Sequence, residues 1–228
     1  MLSAFVITRD GARTLPAVLA NLRAVADEIV VITDAASADD TAQIAAQLAD
    51  RAEVWEVGGC PEHVRNTAAR LCRGDWLLMS DDDELWPPAW QNALPALLTG
   101  AAGEYVFPRK HILAGERWIT SEPWYPDWQI RLRSREAWAR APWPTLPHAT
   151  PDAWGRAFVN IPFWHMKFVV QDVETRLARM NRWGELRADA TGEHYRKFAM
   201  PEEYQWQTAP LDEEAPRELV DILRACAA

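Results

Sequence analysis

The sequence predicts an α/β protein whose sheet is mostly parallel and is covered by helices on both faces. Four mostly apolar segments, at residues 2–8, 29–32, 54–57 and 76–79, have the length and the β-branched or aromatic content of strands. The segments between them repeat apolar residues at helical spacing. Strands and helices that alternate at such short spacing are typical of crossover units, which place the strand ends on one rim of a parallel sheet.

The first hundred residues supply these units in order. A strand at 2–8 ends near Gly11, which permits a tight turn. Thr14 then caps a helix that has Pro16 in its first turn. The unbroken β-branched run at 29–32 is typical of a strand that is buried on both faces. The remaining elements are a helix capped by Asp39 or Asp40 that runs to Asp50, a strand at 54–57 and a helix at 61–72.

An apolar run that stops at four consecutive acids is the stretch around which the chain is organised. Residues 76–79 indicate a buried strand, and the acids follow at its carboxyl end. They are Asp81, Asp82, Asp83 and Glu84. Two carboxylates about 6 Å apart repel by about 3 kcal/mol at an effective dielectric of about 20, so the cluster favours a bound cation. Oxygen ligands without a nearby cysteine suit Mg²⁺ or Mn²⁺, although an acidic first turn of a helix is the alternative.

The pattern changes after Gly100, within what we expect to be one globule. A helix at 89–98 is followed by short strands at 105–108, 128–133 and 157–161. The last expected elements are a polar helix at 170–183 and an amphipathic tail segment that carries Leu219, Ile222 and Leu223. This second half is therefore expected to be mixed α+β.

Composition limits the partners and the compartment. The chain of 228 residues has a formal net charge of −9, which argues against nucleic acid as the main partner because phosphate backbones are bound by basic surfaces. Cys60, Cys72 and Cys226 lack a pairing number and a metal spacing, which indicates reduced thiols in a cytoplasmic protein. The N-terminus lacks a basic leader, and no segment approaches the roughly 18 apolar residues that span a bilayer. The amphipathic tail leaves attachment to the cytoplasmic face of a membrane open.

Four motifs lie at the predicted strand ends and on the third helix. They are Thr8-Arg9-Asp10, the segment 33–41, Arg65-Asn66, and Gly74-Asp75-Trp76 leading to the acids at 81–84. Together they resemble family 2 glycosyltransferases with the GT-A fold, and more narrowly small bacterial members that act on lipopolysaccharide core or other cell-envelope glycans. The resemblance implies a single GT-A domain, with residues 1–100 as the nucleotide-sugar-binding half and 101–228 as the acceptor-binding half. The segment departs at Ala35-Ala36-Ser37, where the family usually has a glycine.

The resemblance also implies an inverting transfer of a sugar from a nucleotide-sugar, with a UDP-sugar as the expected donor, to a glycan or lipid-linked acceptor. The residues expected to contact the donor are Thr8, Asp34, Arg65, Asp81 and Asp82. Asp83 is expected to bind Mn²⁺ or Mg²⁺ that bridges the diphosphate, which agrees with the need to neutralise a leaving diphosphate. Without the resemblance, Arg65 is equally well a surface arginine of a helix.

The acceptor side rests on fewer matches. Asp127 precedes a Gln-x-Arg-Leu strand as in the family, so it is the expected general base, with a turn aspartate after Pro126 as the alternative. His165 resembles a histidine that some GT-A enzymes use as a further metal ligand, and a core histidine is the alternative. His148 is followed by Ala149, where related sequences often have a His-Glu pair.

Tryptophans and arginines are concentrated in the second half. Seven tryptophans lie between Trp118 and Trp164, and core packing is the default over a sugar cleft or a membrane interface. Arg131, Arg133 and Arg135 alternate, and they fit either contact with a phosphorylated or acidic acceptor or a solvated strand face.

Two other functions stay open. A nucleotidyltransferase would need a Gly-rich basic loop after the first strand, and residues 8–13 contain one glycine. A non-catalytic carbohydrate-binding or scaffold protein on the same fold is the second alternative, because the His-Glu pair is altered here.

Overall fold

The computed structural model describes residues 1–146, 149–186, 204–211 and 215–227, and its elements follow the predicted order. The strands are β1 (Leu2–Thr8), β2 (Glu28–Asp34), β3 (Arg51–Trp55), β4 (Trp76–Asp81), β5 (Glu84–Leu85), β6 (Glu104–Leu113), β7 (Arg117–Ile119), β8 (Asp127–Ser134), β9 (Arg156–Phe158), β10 (Phe163–His165) and β11 (Thr208–Pro210). The helices are α1 (Leu15–Arg23), α2 (Thr41–Leu48), α3 (Glu62–Leu71), α4 (Pro88–Thr99), α5 (Arg135–Arg140), α6 (Lys167–Val170), α7 (Val173–Leu186) and α8 (Arg217–Ala227).

Four parallel strands form the half of the sheet that comes first in the chain. β1 pairs with β2 on one side and with β4 on the other, and β2 pairs with β3. All seven residues of β2 are buried, as predicted for an unbroken run of β-branched residues. β3 ends at Trp55, earlier than the predicted 54–57, because Val57 leaves the ladder and its N–H lies 3.4 Å from Asp34 Oδ1.

Side chains of β1 alternate between two hydrophobic clusters on opposite faces of the sheet. Ala4 and Val6 belong to the cluster that includes Leu19 of α1, whereas Phe5 belongs to the cluster that includes Ala68 of α3. Successive residues of a strand point to opposite faces, so a strand with no polar face needs helices on both sides. Each large apolar side chain that is fully buried in this way stabilises the fold by about 1.5–3 kcal/mol.

The second half extends the sheet with antiparallel strands, which confirms the mixed α+β expectation. β8 pairs with β4 and with β6, and β6 pairs with β7. β6 has ten residues and is longer than the predicted 105–108, because its ladder with β8 continues through Pro108 to the Arg109–Asp127 pair. β10 lies between β6 and β5, which places His165 opposite Glu84.

The first two alternating arginines of β8 are buried, so both predictions made for them are wrong. Arg131 is 3% exposed and Arg133 is 1% exposed. Arg133 Nε donates to Glu104 Oε2 at 3.0 Å, and Arg156 Nε donates to the other oxygen of that carboxylate. Buried charges require partners, and here the partners come from strands that are distant in sequence. Arg135 donates to main-chain carbonyls and not to another charge.

Most of the clustered tryptophans pack in the interior, which confirms the default prediction. Trp124, Trp138, Trp143 and Trp164 are buried, Trp118 and Trp154 are partly buried, and Trp128 is exposed.

The amphipathic tail segment forms α8, and its apolar face is covered by protein. Leu219, Ile222 and Leu223 pack into the same cluster as Leu19 and Trp90. Within the described ranges, no helix has the length and the apolar content to cross a membrane.

Gly74 permits the chain before β4 to lie against the start of β1. A Cβ at Gly74 would lie 2.7 Å from Ser3 N and 2.9 Å from Met1 O, both of which are main-chain atoms. Because the main chain would have to shift, we expect Gly74→Ala to lower the free energy of unfolding in urea by about 1–3 kcal/mol. Asp75→Ala, at the exposed neighbouring position, is the control and should change it by less than about 0.5 kcal/mol. Equal stability of Gly74→Ala and the wild type would contradict this account.

Candidate functional site

The carboxyl ends of β1, β2 and β4 meet at one edge of the sheet. The register places Thr8 beside Thr33 and Ile7 beside Asp81. Thr8 Oγ1 donates a hydrogen bond to Asp82, which links the end of β1 to the turn after β4. A Cβ at Gly11 would lie 2.7 Å from Asp82 Oδ2, so the loop after β1 approaches this turn too closely for a larger residue. The strand ends therefore converge as the crossover rule predicts.

The loops that follow β1 and β2 are hydrogen-bonded to each other. Asp10 Oδ1 accepts from the Ala38 N–H at 2.7 Å, and Asp39 Oδ2 accepts from the Ala12 N–H at 3.0 Å. Asp10 has φ of 52°, a left-handed conformation that aspartate adopts more readily than most residues. The two loops thus form one rim beside the strand ends.

Asp34, at the end of β2, is buried and has one carboxylate oxygen without a partner among the described residues. Its Oδ1 accepts from the Ala36 N–H at 3.1 Å, which closes the turn at the position where the family usually has glycine. Its Oδ2 is buried and has no hydrogen-bond partner in the described part of the chain. A buried acceptor left unpaired costs about 1–3 kcal/mol, so a ligand that donates an N–H or O–H here would be bound favourably.

Asp81 and Glu84, the first and last of the four acids, share one counter-ion. Arg131 Nη2 donates to Asp81 Oδ2 at 3.0 Å. The same guanidinium donates to both oxygens of Glu84, at 2.8 Å from Nε and 2.6 Å from Nη2. Arg109 adds a longer contact of 3.7 Å from its Nη1 to Glu84 Oε1. These ionic contacts make two of the acids part of the fold.

Asp82 lies between Thr8 and Asp83. Desolvation and the neighbouring Asp83 carboxylate raise the pKa of Asp82 to about 7, and the hydrogen bond from Thr8 lowers it by less. Two adjacent carboxylates therefore compete for positive charge at this point. A bound cation would favour the ionised form of both.

Asp83 faces His165, so the structure brings the predicted metal ligands together. His165 Nε2 lies 3.4 Å from Asp83 Oδ1, and the two side chains are 7% and 5% exposed. The Met166 N–H donates to the Asp83 carbonyl oxygen at 2.8 Å, which fixes the end of β10 against the acidic turn. His165 is thus buried, as the core alternative held, and it also lies beside the acids.

The residue types of this pair fit a divalent cation. Among the residues that the structure describes, no group of three or more His, Cys, Asp or Glu side chains has the arrangement of a metal site. One carboxylate and one imidazole leave positions for further oxygen ligands, and Mg²⁺ characteristically combines one or two protein carboxylates with substrate phosphates. The pair thus fits a cation that is held jointly by protein and ligand.

Arg65 lies inside the site and is not a surface arginine. Its guanidinium stacks 4.6 Å from the ring centroid of Trp143 and lies 3.4 Å from Glu62 Oε1. Burial lowers the pKa of Arg65, while Glu62 and Asp81 oppose that shift. The adjacent Asn66 exchanges two hydrogen bonds, of 2.7 and 2.8 Å, with the main chain of Trp143. α3 therefore supplies one residue to the charged site and one to the loop beside it.

The carboxylate of Asp127 is fully engaged at the start of β8. Its Oδ2 accepts from Arg109 Nε at 2.8 Å and from His111 Nε2 at 2.8 Å, and its Oδ1 accepts from Gln129 at 2.6 Å. Burial by itself raises the pKa of Asp127, but Arg109 and His111 outweigh it and hold the pKa below its usual range. A carboxylate stabilised in this way is a weak base, so the geometry does not support the predicted role in proton removal.

Three residues of this edge were not found from the sequence. Arg109 and His111 are two residues apart on β6 and so share a face, a signal that was lost because the strand was predicted to end at 108. Lys167 follows β10, and burial together with the nearby Arg179 lowers its pKa to about 7. His148, which carried the altered His-Glu pair, lies outside the described residues.

The comparison with known families assigns the chain to one of them. The family described as glycosyl transferase family 2 matches residues 3–160, which is more than half of the chain. The protein therefore belongs to glycosyl transferase family 2, in agreement with the motifs at the strand ends.

Individual relatives are more distant. A protein of Rickettsia felis described as an uncharacterized glycosyltransferase is 35% identical over 83 residues, which cover 36% of this chain and 29% of that protein. The match thus spans less than a third of that relative. The mannosyltransferase PcManGT from Pyrobaculum calidifontis, in complex with GDP-Man and Mn²⁺, has a TM-score of 0.56 at 18% identity, covering 98% of this chain and 68% of its own. TarS from S. aureus in complex with UDP has a TM-score of 0.52 at 15% identity, covering 88% and 70%. These structural likenesses establish the GT-A fold.

Loss of the shared counter-ion should destabilise the protein. Arg131→Met leaves Glu84, which is 0% exposed, and Asp81 without their guanidinium, so we expect the free energy of unfolding at neutral pH to fall by about 3–5 kcal/mol. Urea unfolding measures this difference, and adding Glu84→Gln to the same variant should recover part of it. Arg140→Met removes an exposed pair with Glu136 and is the matched control, with an expected change below about 1 kcal/mol. An Arg131→Met protein as stable as the control would contradict the role given to this guanidinium.

Proposed function

We propose that this protein is a metal-dependent glycosyltransferase that moves a sugar from a nucleotide-sugar to a glycan or lipid-linked acceptor with inversion. The observation that carries the proposal is the pairing of Asp83 with His165 at the end of β4, in a chain of glycosyl transferase family 2. A divalent cation held there would neutralise the negative charge that develops on the leaving diphosphate. Both Mn²⁺ and Mg²⁺ fit these ligands, and the Mn²⁺ named with the Pyrobaculum enzyme favours Mn²⁺.

The donor would bind along the rim formed by the loops after β1 and β2. Asp34 Oδ2 is a buried acceptor suited to an N–H or O–H of the base or ribose. Thr8 and Asp82 are joined by a hydrogen bond beside this position, and Arg65 lies within the electrostatic field of Asp81 on the other side of the turn. The UDP named with TarS supports a UDP-sugar as the donor, and the GDP-Man named with PcManGT makes a GDP-sugar the main competitor.

The acceptor would approach from the second half of the chain. Trp128, at 37% exposed, packs edge-on against the exposed Phe158 at 5.1 Å, and such a pair offers an apolar surface to the C–H face of a sugar. An inverting reaction also needs a group that takes the proton of the acceptor hydroxyl. The prediction that Asp127 is that group stays a prediction, and its contacts weigh against it. A role on the cytoplasmic side of the cell envelope rests on the resemblance to small bacterial members of the family.

Nucleotides should stabilise the protein in a metal-dependent manner. We expect thermal unfolding with UDP, GDP, CMP and dTDP, each with and without Mn²⁺, to give the largest rise in Tm with UDP plus Mn²⁺. A ligand at a hundredfold its Kd stabilises by about 2.7 kcal/mol, which is enough to measure. A larger shift with GDP would change the donor class. The absence of any shift with all four nucleotides would contradict the proposed function and favour a carbohydrate-binding protein.

Asp83 should be required for the metal-dependent part of that shift. Asp83→Asn removes one charged ligand, so we expect transfer to fall by at least about 100-fold and the additional stabilisation by Mn²⁺ to disappear. Asp75→Asn changes an exposed aspartate just before the opposite end of β4 and should leave both readouts unchanged. Full activity of Asp83→Asn in added Mn²⁺ would refute the assignment of the metal ligand.

A further inference from the structure

Four side chains form a continuous series of contacts that links the candidate metal ligands to the start of β8. Asp83 Oδ1 lies 3.4 Å from His165 Nε2. His165 Nδ1 lies 3.1 Å from His111 Nδ1. His111 Nε2 lies 2.8 Å from Asp127 Oδ2. The outer end of this series has no part in the site as it was predicted from the sequence.

The proton on His111 is fixed by the outer end of the series. Asp127 also accepts from Arg109, at 2.8 Å from Nε and 2.7 Å from Nη2, so its carboxylate is ionised and acts only as an acceptor. His111 Nε2 must therefore carry the hydrogen in the 2.8 Å contact with Asp127. Gln129 donates to the other carboxylate oxygen and holds its orientation.

The environment of His111 leaves its Nδ1 as an acceptor. His111 is 3% exposed, and its ring contacts Trp124 and Phe168. A second proton would place an imidazolium in this apolar contact, next to the guanidinium of Arg109, which is unfavourable. Of the two Nδ1 atoms that face each other, that of His165 is consequently the donor.

The same geometry then determines the chemistry of His165 Nε2. A neutral imidazole that carries its proton on Nδ1 has a lone pair on Nε2. That lone pair faces Asp83 Oδ1 at 3.4 Å, a separation longer than an ordinary hydrogen bond. Two acceptors that face each other in this way are suited to a cation that both of them bind.

We propose that His111 and Asp127 are positioning residues that set the tautomer and the ring orientation of His165, so that its Nε2 binds the divalent cation together with Asp83. The inference rests on the proposed function for the presence of the metal, and it gives Asp127 a role other than that of the base. Arg109 and Gln129 complete the arrangement because they hold the Asp127 carboxylate. Hydrogen bonds from outside the ligand shell typically change metal affinity by about 10–100-fold.

The tautomers are tested first, in the metal-free wild-type protein, by the ¹⁵N shifts and the ¹H–¹⁵N couplings of the histidine rings. We expect the proton of His165 on Nδ1 and that of His111 on Nε2. A proton on His165 Nε2, in either a neutral or a doubly protonated ring, would overturn the inference whether or not the protein is a glycosyltransferase.

The affinity for Mn²⁺ is tested next, by following free Mn²⁺ with electron paramagnetic resonance in the presence of UDP. His111→Leu removes both nitrogens, and we expect it to raise the Kd for Mn²⁺ by about 10–100-fold while the Kd for UDP without metal is unchanged. His111→Asn keeps an acceptor for His165 Nδ1 and should stay within about threefold of the wild type. Equal Mn²⁺ affinity of His111→Leu and the wild type, with only a lower Tm, would overturn the inference. A wild-type protein that binds no Mn²⁺ would instead refute the metal dependence in the proposed function, and the inference with it.

Asp127→Asn separates positioning from proton removal. An asparagine oxygen can still accept from Arg109 and His111 if Gln129 turns its amide over, so we expect measurable transfer that rises with added Mn²⁺. Loss of transfer by more than about 100-fold, with Mn²⁺ affinity equal to that of the wild type, would make Asp127 the base and overturn its positioning role.

Discussion

The acidic turn after β4 depends on the buried guanidinium of Arg131. Two of its four carboxylates, Asp81 and Glu84, bind this one cation, and Glu84 is fully buried. Without a counter-ion, four adjacent acids at a strand end would repel one another and would be costly to desolvate. Because β8 places Arg131 beneath the turn, that end of the sheet is held in a defined shape.

This arrangement divides the acids by task. Asp81 and Glu84 are neutralised within the protein, whereas Asp82 and Asp83 keep charge that the described residues only partly balance. A site that binds a diphosphate through a cation needs this kind of residual negative charge, in a crevice at the carboxyl ends of parallel strands. The same division explains why the acids lie in one short turn and still do different chemistry.

The second half of the chain contributes more to the site than an acceptor surface. β10 inserts between β5 and β6 and brings His165 to Asp83, and β6 brings Arg109 and His111 to Asp127. The metal ligands and the start of β8 are thereby connected through packed, hydrogen-bonded side chains. A change at β6 or β8 would therefore be felt at the cation without any direct contact.

The sequence by itself determined the α/β architecture, the order of the first four strands and the position of the acids, because these follow from apolar periodicity and from the abrupt end of a buried run. It also placed Thr8, Asp34 and Asp81 on one edge, since right-handed crossovers put parallel strand ends together. The partners of the charges were decided only by tertiary structure. Arg131 binds acids about fifty residues earlier, and His111 reaches both Asp127 and His165, because strands distant in sequence become neighbours in the sheet. Alternation along β8 indicated a face for its arginines but could not show what lay opposite that face.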